Sequence, residues 1–145
     1  MSVGRSCSRV VATASGSETI RMAARRMADH DVGTLVVVGT GPPPQAIGIV
    51  TDRDLAIRCI AGRLDPDETA ISEVMSTPVH SVDEHIPMEE AVAIMARGGT
   101  RRLVVTGEDN SVAGLLSMDD VLGVAVEEAG AIGQLLEQQK PRIPA

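Results

Sequence analysis

The sequence predicts an α/β fold built from two copies of a β-α-β-β-α unit packed with pseudo-twofold symmetry, and three observations predict it. Ile20, Ala23, Ala24 and Met27 return as Met88, Ala91, Val92 and Met95, each 68 positions on, and both sets keep the i, i+3, i+4, i+7 spacing of an amphipathic helix. The same shift carries Val11 and Thr13 to Val79 and Ser81, and Leu35, Val36 and Val37 to Leu103, Val104 and Val105. Finally, GIVTDRDL at 48–55 returns as GLLSMDDV at 114–121, with the shift reduced to 66.

Each element follows in order. Strands are expected near 10–14, 34–39 and 46–51, where β-branched residues cluster, and helices near 19–31 and 52–62. Pro42, Pro43 and Pro44 mark the loop whose length changes between the copies. Residues 61–78 read as a connector in which AISEVM makes a short helix before Pro78. The first copy is placed at 9–68 and the second, with its linker helix, at 69–128. A tail at 129–145 carries on a helical seam of Leu122, Val126, Ala129, Ile132 and Leu136, weakened by Gly130 and Gly133. The LVVV strand calls for burial on both faces, so the two copies are expected to pack on each other.

Composition narrows the function. A hydrophobic content of 43% with 23% charged residues belongs to a folded soluble chain and argues against disorder. The sequence has no Phe, Tyr or Trp, so a bound base would lie against aliphatic walls and backbone. Thirteen basic against twenty acidic residues leave a net charge of −7, which opposes the phosphate neutralisation that nucleic-acid binding needs. No apolar leader opens the chain and no run approaches the roughly 20 residues of a membrane span, so a cytoplasmic protein is expected. Cys7 and Cys59 read as ordinary thiols, with a redox bridge between them as the lesser alternative.

The repeated motif has a plain structural reading. Thr51 to Asp54 and Ser117 to Asp120 both fit the capping box, in which hydroxyl and carboxylate satisfy each other's backbone amides at a helix start. Capping does not explain why Gly48 and Gly114 precede the motif in both copies. Helix starts at strand ends also attract anions, and a carboxylate there suits ribose hydroxyls.

The gap-free repeat, PVHSV at 78–82, RRLVV at 101–105 and the paired Gly-x-x-Thr/Ser-x-x-Asp motifs resemble a pair of cystathionine β-synthase (CBS) domains over about residues 9–128. The resemblance implies a flattened two-copy module that often dimerises. It also implies adenosine-containing ligands such as AMP, ADP, ATP or S-adenosylmethionine in clefts between the copies, and a regulatory rather than catalytic role. With no catalytic domain attached, the sequence resembles the small stand-alone bacterial members, and an unknown protein target acted on in trans is expected. By the same resemblance Asp54 and Asp120 match the ribose-binding acid, and Thr51 and Ser117 the hydroxyl facing sugar or phosphate. Thr13 and Ser81 match first-strand positions beside base or ribose, and Arg101 and Arg102 the basic residues that face phosphate. The first copy departs from this pattern, with Gly33 and Thr34 where the second has the two arginines. Arg53 is a candidate substitute.

Two other classes compete. Paired carboxylates suggest acid–base catalysis, but symmetric copies give Asp54 and Asp120 equivalent surroundings, whereas catalysis needs unlike ones. His30, His80 and His85 form no metal-ligand motif, and no nucleophile motif is present, so neither an enzyme nor a metal site is expected. The other alternative is a ligand-free dimeric scaffold or stress-related protein that keeps the fold, since capping alone can account for the motif.

Overall fold

The structure is a computed structural model and describes residues 1–139. Each copy forms a three-stranded sheet: β1 (Thr13–Ser15), β2 (Thr34–Val38) and β3 (Ala46–Thr51) in the first, β4 (Ser81–Asp83), β5 (Arg102–Thr106) and β6 (Val112–Ser117) in the second. In both sheets the first strand pairs parallel with the second and the second antiparallel with the third. Corresponding partners occupy corresponding places, Val37 opposite Gly48 and Val105 opposite Gly114, with a bulge one residue later in each. Helix α1 (Ile20–His30) crosses between β1 and β2, and α3 (Met88–Gly98) between β4 and β5.

Helix α1 starts at Thr19, whose hydroxyl accepts from Met22 N–H at 3.2 Å, and buries Ile20, Ala23 and Met27. It ends at Asp31 in the left-handed conformation (φ 52°), where the second copy ends α3 with Gly99 (φ 61°). Along β2 the period-two alternation separates two faces. Leu35 and Val37 join α1, Leu55 and Cys59 in one core, while Val36, fully buried, lies on the opposite face of the strand. Leu103 and Val105 repeat this in a second core with α3, and Val104 is likewise fully buried. Helices α1 and α3 therefore cover one face of their sheets, and Val36 and Val104 are buried on the opposite faces.

The structure refines the expected elements in three places. The first strand begins at Thr13, with Val10 left 92% exposed before it. The helix after Thr51 is a single turn, α2 (Asp52–Asp54), continued by a π-helical segment, Leu55–Ile60. In the second copy the equivalent helix α4 (Met118–Gln138) passes Gly130 and Gly133 unbroken, carrying the seam on as one helix. The tail expected at 129–145 lies outside the described residues from 140 onward.

A further symmetry escaped the sequence reading. The connector forms a 3₁₀ turn, Ile71–Glu73, and the N-terminus forms its counterpart, Val3–Arg5, again 68 positions apart. Each turn packs on the other copy. Ile71 and Ser72 donate to Glu18 O and Gly16 O at 2.8 and 3.0 Å, and Val3 and Gly4 donate to Ile86 O and Glu84 O at 3.0 and 2.8 Å. Ile71 and Val74 complete the first core, Val3 the second. The chain then bridges to the far strand, Ser76 to Ile49 and Ser8 to Leu115.

Candidate functional site

This crossing explains Gly48 and Gly114. A Cβ on Gly48 would strike the Met75 sulfur, and one on Gly114 would stand 2.6 Å from Cys7 Sγ and 2.8 Å from Ser8 O. Both glycines exist to let the exchanged segment pass over the strand, a packing role. Cys7 is half-buried there and Cys59 lies in the first core, both as free thiols. Burial pushes the Cys7 thiol up, the nearby Arg9 opposing it less strongly, so it stays protonated at neutral pH.

Both capping boxes form. The Asp54 carboxylate accepts from Thr51 N–H at 2.9 Å while Asp54 N–H donates to the Thr51 hydroxyl at 3.2 Å. Asp120 accepts from Ser117 N–H at 2.8 Å and from the Ser117 hydroxyl at 2.9 Å. The other Asp54 oxygen faces Arg58 at 3.7 Å, and Arg58 is anchored by donating to Val74 O at 2.8 Å. The Asp54 side chain is 15% exposed, so it is sheltered but reachable.

What the exchange creates beside Asp54 is a small cleft of about 150 Å³ between the copies. The first copy contributes Ile49, Thr51 and Asp54, and the second contributes Ser76, Pro78, Val79, His80, Thr100 and Arg102. The enclosed volume is thus smaller than the ~300–1,000 Å³ typical of small-molecule sites, and a ligand would extend beyond it toward solvent. Thr100 fixes the backbone there, its hydroxyl donating to Arg102 O at 3.0 Å. A carboxylate and a hydroxyl thus line the cleft together with a guanidinium from the other copy.

The remaining expected residues lie elsewhere. Arg101 lines a shallow depression with Arg102, Ser117, Met118 and Asp119. Asp120 lines one with Met1, Arg5 and Ser6, and Thr13 one with Arg9, Pro43, Pro44 and Ser111. Ser81 is exposed on β4 and lines none of these. His80 and Thr100 were missed as lining residues, although each stands within two positions of Ser81 or Arg102. Their counterparts under the repeat, Ala12 and Val32, are apolar, and that of Arg102 is the buried Thr34. The two clefts are therefore chemically unequal. Among the described residues no group of three or more His, Cys, Asp or Glu could hold a metal ion, and no helix is long and apolar enough to cross a membrane.

Fold and cleft together define an internally duplicated α/β module of the Bateman type. The chain belongs to the CBS domain family, whose model matches residues 3–59 and 71–127. It is 37% identical over 86% of its length to an uncharacterized protein of Methanopyrus kandleri, of which the match spans 62%. It is 39% identical over 77% of its length to a CBS domain-containing protein of Bacillus subtilis, of which it spans 76%. Among solved structures, a CBS domain protein from Pyrobaculum aerophilum complexed with AMP superposes with a TM-score of 0.74 at 27% identity, covering 83% of this chain and 89% of that one.

Proposed function

We propose that the chain is a regulatory module that binds an adenosine-containing nucleotide in the cleft formed by Thr51, Asp54 and Arg102, and reports its occupancy to a partner protein in trans in the cytoplasm. The observation that carries this reading is the meeting of Asp54 and Arg102 from different copies in one cleft. Asp54 uses one oxygen for its cap, and a carboxylate retains further acceptor sites for ribose hydroxyls. Arg102 supplies a fork of donors for a phosphate. Ile49, Pro78 and Val79 offer the aliphatic wall that a chain without aromatic residues must use for a base. The AMP complex of the Pyrobaculum relative supports the ligand class. Binding would tie the copies together, and the ligand shifts an equilibrium only as far as it prefers that joined state.

The ligand-free scaffold is favoured by one observation, that both acids already serve as helix caps. A thermal-shift panel of AMP, ADP, ATP, S-adenosylmethionine and NAD separates the readings. At 100 times its Kd a ligand adds about 2.7 kcal/mol of stability, several degrees in a domain of this size. Stabilisation by an adenosyl ligand supports the sensor; a flat panel with folded protein supports the scaffold.

A further inference from the structure

We propose that His80 makes this cleft select a phosphate-bearing ligand over a cationic one, acting as a second, pH-responsive cation beside Arg102. The inference rests on the reading of this cleft as the ligand site and adds the charge of the ligand to it. Three positions that are apolar or buried in the first copy, Ala12, Val32 and Thr34, are His80, Thr100 and Arg102 in the second, and all three of the latter line one cleft. These differences between the copies are gathered where a ligand would sit. Neither the His80 imidazole nor the Arg102 guanidinium has a hydrogen-bond or ion-pair partner among the described residues, whereas Asp54 is engaged by its cap and by Arg58. Both cationic side chains are therefore open to a ligand.

The fold holds the His80 ring in place without using its nitrogens. Val104 N–H donates to the His80 carbonyl at 3.0 Å, which ties it to β5, the strand that Arg102 begins. The ring lies against Gly98 at the end of α3, so closely that a Cβ there would stand 3.0 Å from Cε1 and 3.1 Å from Nδ1. The charged side chains lining the cleft with it are Asp54 from α2 and Arg102 from β5, and the α3 residue under the ring, Gly98, is uncharged. Of these three charged or titratable types, only an imidazole changes charge between pH 5 and 8 at its ordinary value. Among the lining groups Asp54 and Arg102 cancel, so the imidazole decides the sign of the cleft. When protonated it gives a phosphate a second cationic donor beside Arg102, and the same pair repels a sulfonium. The cleft encloses only about 150 Å³ and His80 is exposed, so a phosphate can meet the ring where the ligand emerges toward solvent. S-adenosylmethionine, with a sulfonium and no phosphate, is the disfavoured adenosyl ligand.

The test titrates AMP, S-adenosylmethionine and inorganic phosphate into the wild type, His80→Gln, Gly98→Ala and the double variant, each checked as folded by its melting curve, at about pH 6 and about pH 8. His80→Gln should weaken AMP by roughly threefold to tenfold at the lower pH, lose less at the higher one, and leave S-adenosylmethionine unchanged or tighter. Comparing the variant with the wild type at each pH removes the ligand's own titration. Gly98→Ala, whose Cβ displaces the ring, should weaken AMP in the wild-type background and add nothing to His80→Gln, a coupling that unrelated structural damage does not give. Inorganic phosphate alone should move the His80 Cε1–H proton resonance, assigned by its loss in His80→Gln. AMP binding that needs Asp54 but is equal in the wild type and His80→Gln at both pH values overturns this proposal and leaves the nucleotide reading standing. A His80 resonance that moves with phosphate in a protein that binds no AMP keeps the phosphate selectivity and removes the nucleotide reading. A resonance that answers to neither ligand, in a protein that binds no AMP, overturns both.

Discussion

Asp54, the last residue of α2, and Arg102, the first of β5, come from different copies and line the same cleft. Under the proposed function Asp54 serves the sugar and Arg102 the phosphate, and the two roles are separable by experiment. Arg102→Ala is expected to weaken AMP by about 10- to 100-fold, the worth of one or two charge-assisted hydrogen bonds of ~1.5–3 kcal/mol. Adenosine, lacking the phosphate, should be nearly unaffected. Isothermal titration of both ligands checks it, and an equal loss for each would place Arg102 elsewhere.

Gly114 should tolerate no side chain. The Cβ of Gly114→Ala meets the backbone oxygen of Ser8, which cannot swing away, and a cost of about 1–3 kcal/mol is expected in urea unfolding. Gly130→Ala in α4 is the control. Nothing lies within 4 Å of its added Cβ, and helix propensity should stabilise by ~0.5–1 kcal/mol.

Asp31 holds a left-handed conformation that the second copy gives to Gly99. Asp31→Gly should therefore stabilise by about 0.5–1 kcal/mol, read as a rise of roughly 1–4 °C in the melting temperature. A lower melting temperature would mean that the Asp31 side chain holds something its backbone does not explain.

Glu18 provides a pH signature. Its carboxylate accepts from Arg26 at 2.5 and 3.0 Å and from Ser15 N–H at 2.8 Å. Arg26 holds it below the usual carboxylate range against the opposing effect of burial. A lowered value means the contribution is complete above the unfolded-state value of about 4.3 and is lost as pH falls through the folded-state value. Glu18→Gln should thus destabilise by ~1–3 kcal/mol at neutral pH, with the gap to wild type closing below about pH 4. Urea melts across that range check it.

Much of the fold was legible because the two signals that reveal it are local and repeated. The spacing of Ile20, Ala23 and Met27 fixes one buried helical face, and the return of the same pattern at Met88, Ala91 and Met95 fixes the duplication. The exchanged N-terminal turn was not legible, since Ser6 and Cys7 stand where the second copy has Val74 and Met75, and only Val3 against Ile71 preserves the apolar signal. Gly48 and Gly114 were noticed without their cause, which lies in a segment from the other copy. At the site, Thr51, Asp54 and Arg102 were each singled out, but a shift-based alignment compares equivalent positions and says nothing of which positions meet. That meeting, and the part of His80 and Thr100 in it, required the fold.

The most direct measurement is isothermal titration of AMP into the wild type, Asp54→Ala and Asp120→Ala, each confirmed as folded by its melting curve. The account predicts one AMP per chain, lost or weakened at least tenfold by Asp54→Ala and little changed by Asp120→Ala. Unchanged affinity in Asp54→Ala, or no binding by the folded wild type, would contradict it.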